Sequence, residues 1–251
     1  MTTCIVLAAG YATRLYPLTY NFPKPLLEVK GKSILDRLLD DISSIDIVSR
    51  YVIISNHKFA SHFTDWAKSS ALPLTILDDG SVSNETRLGA VRDVQFAIDR
   101  LSLDEDLLVV AADNLLDFSL AGFVSYAKAK ETTCIMRYFE LDTERLRKAG
   151  VVEADDSDRI TRMEEKPTQP FSNWCAPPFY FCAKKDLHFV EEAIAGGCGT
   201  DAPGSFIAWL SRRTAVHAMK MQGNRFDIGD LASYEQAQNE YDGISARLDR
   251  L

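Results

Sequence analysis

Apolar positions along the chain follow two kinds of spacing. Residues 4–7, Cys-Ile-Val-Leu, form an unbroken apolar run that ends at Ala8-Ala9-Gly10, as in a strand buried on both faces. From Ser33 the spacing changes. Ile34, Leu35, Leu38, Leu39, Ile42 and Ile45 recur at helical intervals behind a serine suited to cap them, which predicts a helix. Residues 51–54 and 74–77 predict strands, with a helix over 62–68 between them. Ala90, Val91, Val94, Ala97, Ile98 and Leu101 predict another amphipathic helix, and 107–112 another fully apolar strand. Strands and helices alternating in this way imply right-handed crossovers, so the first half predicts a doubly wound, mostly parallel, Rossmann-like α/β sheet.

Past Glu131 the alternation loosens. Residues 133–139, 151–153, 159–163 and 179–182 read as strands and 186–195, 206–213 and 234–240 as helices, which predicts a mixed sheet with added antiparallel strands. No Ser/Gly-rich linker, composition break or internal repeat divides the sequence, so a single domain over 1–251 is expected. With 46% hydrophobic and 25% charged residues, the chain has the composition of a folded globular protein. Its net charge of -8 argues against a nucleic-acid binder, which needs a basic face, and leaves room for a small anion held by local Lys and Arg. Five scattered cysteines, Cys4, Cys134, Cys175, Cys182 and Cys198, form no CxxC pair, as expected of reduced thiols in a cytoplasmic protein. The apolar start has no basic flank and is too short to span a bilayer, so neither a signal peptide nor a membrane partner is expected.

Candidate chemistry begins at Leu7-Ala-Ala-Gly-Tyr-Ala-Thr-Arg-Leu-Tyr-Pro-Leu-Thr19, followed by Pro23-Lys24-Pro25-Leu26-Leu27. A buried strand that opens into a small-residue loop presents backbone N–H groups where α/β sheets bind phosphates. Arg14 and Lys24 add two cations nearby. Two decoys fail on spacing: Gly10-Tyr11-Ala12 breaks the GxGxxG pattern, and Gly31-Lys32-Ser33 lacks a glycine five positions earlier, where Leu26 stands. Asp113-Asn114 directly follows the apolar run 107–112, so the carboxylate can reach a ligand crevice. Asp227-Ile-Gly229 reads as a turn before the last helix. Two separated carboxylates suit Mg²⁺, which takes oxygen ligands and relies on only one or two from the protein.

The ordered set LAAG-x-x-TRL-x-PLT, PKPLL, ADN, GVVE, EEKP and DIG resembles the sugar-phosphate nucleotidyltransferases, among them the glucose-1-phosphate thymidylyltransferases and mannose-1-phosphate guanylyltransferases. The resemblance runs from Cys4 to about Tyr234. It implies the nucleotide-diphospho-sugar transferase fold, with 1–130 mainly the nucleotide-binding part and 131–251 mainly the acceptor-binding part and C-terminal helices. It also implies Mg²⁺, a nucleoside triphosphate and a sugar 1-phosphate as ligands, and a homo-oligomer. By position, Leu7, Ala8, Ala9 and Gly10 correspond to the residues lining base and ribose, and Thr13 and Arg14 to those on the triphosphate. Lys24 corresponds to the catalytic lysine, with Arg14 sharing that role. Asn84 and Gly89 lie in the base-reading segment. Asp113 and Asp227 correspond to the magnesium ligands, and Gly150, Glu165 and Lys166 to the residues that hold the acceptor.

Three positions depart from the family pattern: Ala12 and Ala112 stand where glycine is usual, and Asp230 where threonine follows DIG. An extra carboxylate at 230 could alter the metal or sugar site. The long β-helical extension of some relatives is absent, so no acyltransferase activity is expected. The alternatives are a cytidylyltransferase acting on phosphocholine or a phosphonate, a glycosyltransferase, and a non-catalytic nucleotide-binding subunit. Asp113-Asn-Leu is not the DxD pair usual in glycosyltransferases.

Overall fold

The structure, a computed structural model, describes residues 1–244. The first strands and helices are β1 (Thr2–Leu7), β2 (Glu28–Val29), β3 (Lys32–Ser33), α1 (Ile34–Ser43), β4 (Val48–Ser55), α2 (Ala60–Ala67) and β5 (Leu74–Asp78). Next come α3 (Ala90–Leu101), β6 (Asp106–Ala111), β7 (Asn114–Leu116), α4 (Ala121–Lys130), β8 (Thr133–Phe139) and α5 (Thr143–Leu146). Then follow β9 (Gly150–Ala154), β10 (Ile160–Glu165), β11 (Trp174–Ala176), β12 (Phe179–Cys182), α6 (His188–Ala195) and α7 (Gly204–Leu210). The chain continues through β13 (Val216–Lys220), β14 (Arg225–Asp227) and α8 (Leu231–Glu240). The strands build a ten-stranded mixed sheet with a mostly parallel core, plus two-stranded pairs β14–β7 and β2–β3.

The chain divides into two compact units. The first holds Met1–Ile5, Leu88–Val110 and Phe123–Met221. Its strands run in the order β10-β9-β11-β8-β12-β6, with neighbours antiparallel, and β13 lies parallel to β8. These are the antiparallel additions expected past Glu131. Helix α3 packs on α6, α6 on α7, and α7 on β10. Every residue of β12 is buried, so Phe179, Tyr180 and Phe181 are core.

The second unit holds Val6–Arg87, Ala111–Gly122 and the described residues from Gln222. Here β4 and β5 pair in parallel, α2 packs on both, α1 on β7, and α8 on β2 and β14. Ser33 caps α1: its Oγ accepts from the Asp36 N–H at 2.9 Å, meeting one of the donors a helix start leaves open. Leu15, Val29, Ile34, Leu115, Ile228, Ala237 and Tyr241 share one buried cluster. Arg14, Asn114, Asp227 and Gly229 each adjoin a member of that cluster in sequence, so burial of the apolar neighbours places the polar ones.

Periodicity located most elements within a few residues, with α1 ending at Ser43 before Ile45. It missed β2, β3, β7, β11, β13, β14, α4 and α5. Strands β7 and β11 have three residues each and α5 has four, too few to show a period. In α4 the buried residues are Phe123, Val124 and Ala127, a narrow stripe in an alanine- and lysine-rich segment. Asp227, read as part of a turn, is the last residue of β14; its pairing with Asn114 is a long-range contact that local pattern does not carry. No helix among the described residues is long and apolar enough to cross a membrane.

Ser33→Ala is expected to lower the unfolding free energy by about 1 kcal/mol through loss of the cap. Urea denaturation checks it, and an unchanged midpoint would show that Ser33 does not stabilise α1.

Candidate active site

In the second unit the loop after β1 is fixed by backbone bonds and two polar side chains. The Ala8 N–H donates to the Ile54 carbonyl at 2.9 Å, and Ala112 N–H to the Leu7 carbonyl at 3.2 Å. Asn56, fully buried, donates from Nδ2 to the Ala9 carbonyl at 3.0 Å. Thr19 Oγ1 donates to the Ala12 carbonyl at 2.8 Å. Leu7 is half-buried, Ala8 and Ala9 are buried, and Gly10, Thr13 and Arg14 are exposed. Ala12 takes a left-handed conformation, φ 48° and ψ 41°, which a Cβ disfavours by about 1–2 kcal/mol. That conformation gives a physical reason for glycine being usual at this position.

Lys24 opens a single 3-10 turn, Lys24–Leu26, between two prolines, and is only 7% exposed. Its Nζ lies 2.8 Å from Asp113 Oδ2. Asn114 Nδ2 donates to Asp113 Oδ1 at 2.6 Å, so both carboxylate oxygens are engaged. Burial raises the Asp113 carboxyl pKa, but the charge and hydrogen bond of Lys24, with Arg225 beyond, outweigh it and hold it below the ordinary value. The carboxylate therefore stays ionised at neutral pH.

The β14–β7 pairing sets Asp227 opposite Asn114, and the Ile228 N–H donates to the Asp113 carbonyl at 3.1 Å. The two aspartates singled out in the sequence thus stand on neighbouring segments. Arg225, which pattern reading missed, links them: its Nη1 donates to Asn114 Oδ1 at 2.6 Å and lies 3.2 Å from Asp227 Oδ2. Its place two residues before Asp227 on a strand, hence on the same face, was the available signal. Arg14 approaches from the first loop, with both terminal nitrogens 3.7 Å from where a Cβ on Gly229 would sit.

Two aspartates with hard oxygen donors fit Mg²⁺, which draws its remaining ligands from phosphate and water. Among the described residues no group of three or more His, Cys, Asp or Glu gathers into an all-protein metal cage. Asp230 lies three residues past Asp227. It caps α8: its Oδ1 accepts from the Ser233 N–H at 2.9 Å, and Ser233 Oγ accepts from Asp230 N–H at 3.0 Å. The Ser233 bonds, aided by Arg14 and Lys24, lower its pKa. Aspartate serves an N-cap as well as threonine does, so this departure preserves the helix start.

Of the base-reading candidates, Asn84 is half-buried in this unit and accepts from Arg87 Nη1 at 2.8 Å. Gly89 belongs to the first unit and precedes α3 with φ +90°. The first unit also brings together the acceptor candidates. Gly150 opens β9 and Glu165 closes β10, paired in register, and Lys166 follows with φ +49° and Nζ 3.8 Å from Asp201 Oδ2.

The chain belongs to the nucleotidyl transferase family, whose sequence profile matches residues 3–243. A relative from Sulfolobus acidocaldarius, bearing the name of a mannose-1-phosphate guanyltransferase, is 31% identical over 76% of this chain and 51% of its own length. A UTP–glucose-1-phosphate uridylyltransferase of Haloferax volcanii is 26% identical over 93% of this chain and 94% of its own. The chain thus spans about half the length of the first relative and nearly all of the second. UDP-glucose pyrophosphorylase in its apo form superposes with a TM-score of 0.82 at 18% identity, covering 96% of this chain and 98% of that one. Its complex with UDP-glucose gives 0.81 at 19%, with the same coverage. Both share the fold.

Lys24→Met is expected to raise the Asp113 carboxyl pKa, because burial then acts with less opposition. Carbon-13 carboxyl titration reads this, and an unmoved pKa would show that Lys24 does not control the charge. Ala12→Gly is expected to raise stability by about 1 kcal/mol through relief of the left-handed alanine; denaturant unfolding would refute this if the variant were weaker.

Proposed function

We propose that the chain is a sugar-phosphate nucleotidyltransferase, moving a nucleoside monophosphate from a nucleoside triphosphate to a sugar 1-phosphate to give a nucleoside diphosphate sugar and pyrophosphate. The observation that carries this reading is the ion pair of buried Lys24 with half-buried Asp113, joined to Asp227 through the β14–β7 ladder, in a member of this family.

An acceptor phosphate is ionised at neutral pH, so its oxygen can attack the α-phosphorus without a general base. A bond forms from that oxygen to the α-phosphorus as the bond to the bridging oxygen breaks, and the electron pair leaves with pyrophosphate. The protein's part is to align two anions and neutralise their charge. Leu7 to Gly10 and Thr13 present the loop to the nucleotide, Asn84 and Gly89 read the base, and Arg14 and Lys24 face the triphosphate. Glu165 and Gly150 receive the acceptor, with Lys166 toward its phosphate. Asp113 and Asp227 would hold Mg²⁺, which when bound supplies positive charge to the phosphate oxygens. Five free cysteines, four of them buried, support a reducing cytoplasmic setting. The net charge of -8 supports small-molecule over nucleic-acid partners. One functional domain over 1–251 and a homo-oligomer belong to the same reading, on family membership alone.

Pyrophosphate release with Mg²⁺ is measured across the common nucleoside triphosphates, each paired with a panel of sugar 1-phosphates, phosphocholine and aminoethylphosphonate. Release with a sugar 1-phosphate is expected, falling about 10²- to 10³-fold in Lys24→Ala and in Asp113→Asn. Release with phosphocholine alone, silence of the unaltered protein, or full turnover in both variants would overturn the reading.

A further inference from the structure

In the first unit a carboxylate fills the place of two missing side chains. A methyl group built on Gly204 would overlap Glu165 Oε2 and stand 3.4 Å from Met163 Cε. One built on Gly150 would stand 2.9 Å from the same oxygen. The Glu165 carboxylate therefore lies in a slot with Gly150 of β9 on one side and Gly204, the first residue of α7, on the other. Burial raises its pKa, the charge of Lys166 opposes this and Asp201 reinforces it. None of the described residues donates a hydrogen bond to its oxygens. A largely desolvated carboxylate with open acceptor positions calls for donors from a ligand.

The segment that carries Gly204 is itself held in place. The Val91 N–H donates to the Thr200 carbonyl at 3.0 Å and Ala90 N–H to the Asp201 carbonyl at 3.3 Å. Thr200 approaches α3 so closely that a Cβ on Gly89 would stand 2.6 Å from its carbonyl oxygen. At the same segment Asp201 pairs with Lys166. Gly204 is thus presented from a backbone fixed to the start of α3.

Resting on the transfer reaction above, we infer that Gly204 is a specificity-determining residue for the acceptor: by lacking a side chain it keeps the slot from which Glu165 accepts hydrogen bonds from the acceptor's hydroxyl groups. Gly204 acts through Glu165 and is a positioning residue. The far end of the glutamate is what yields to an added methyl group, so Gly204→Ala moves the carboxylate while α7 remains. A polyhydroxylated phosphate supplies the donors this slot lacks. A quaternary ammonium supplies none.

The test compares the sugar 1-phosphate that the unaltered protein accepts with its monodeoxy analogues. The unaltered protein is expected to disfavour at least one analogue by about 10- to 100-fold in kcat/KM, the range for a hydrogen bond to a charged group. Gly204→Ala is expected to raise the acceptor KM by a similar factor, to erase that preference, and to leave the nucleotide KM within about twofold. In a Glu165→Ala background Gly204→Ala should add nothing, since the two act as one unit. Carbon-13 titration without ligand should show the Glu165 pKa falling toward its ordinary value in Gly204→Ala. Intact discrimination in Gly204→Ala, equal losses toward both substrates, or additive losses with Glu165→Ala would overturn the inference while the transfer reaction stood. Silence of the unaltered protein with every pair would remove the reaction and this inference with it.

Discussion

The Lys24–Asp113 ion pair is the constraint around which the second unit is arranged. A lysine 7% exposed has its carboxylate partner at 2.8 Å, and the aspartate, 39% exposed at its side chain, is held below the ordinary carboxyl pKa because that lysine, with Arg225, outweighs its desolvation. Both ends are held by the chain rather than by solvent. Pro23 and Pro25 stiffen the backbone around the lysine, while Asn114 engages the second carboxylate oxygen and is itself fixed by Arg225. The apolar cluster beneath, with Leu15, Leu115 and Ile228, anchors three separate chain segments whose polar neighbours are Arg14, Asn114 and Asp227. Packing thus does the positioning, and the polar residues inherit it.

The first unit meets a different demand by a different device. Gly150 and Gly204, by lacking side chains, leave the space that the Glu165 carboxylate fills. Lys166, in a left-handed conformation rarely adopted by side-chain-bearing residues, directly follows. Strain of this kind is tolerated where the surrounding structure fixes it, and here the Lys166 N–H bonds the Ala149 carbonyl at 3.0 Å.

Much of this was legible in the sequence, and the boundary has physical causes. Runs such as 4–7 and 107–112 and the helical spacing after Ser33 report burial directly, so the α/β alternation could be read from them. Motif order gave the family, and with it the candidate positions. The partnership of Asp113 with Lys24, 89 positions apart, and the β14–β7 pairing are long-range contacts without a local pattern. Arg225 showed itself only once Asp227 was known to lie on a strand. The capping of α8 by Asp230 was likewise not read from the sequence. The close approach of Glu165 to Gly204 is another long-range contact without a local pattern.

Phosphorus-31 NMR of one reaction mixture tests the central claim most directly: protein, Mg²⁺, nucleoside triphosphate and the preferred sugar 1-phosphate. Nucleotidyl transfer requires the α-phosphorus and the sugar phosphorus to become coupled neighbours in a new diphosphate diester as pyrophosphate appears in equal amount. Appearance of nucleoside diphosphate and inorganic phosphate, with the sugar 1-phosphate signal unchanged, would place the cleavage at the wrong phosphorus and contradict the account.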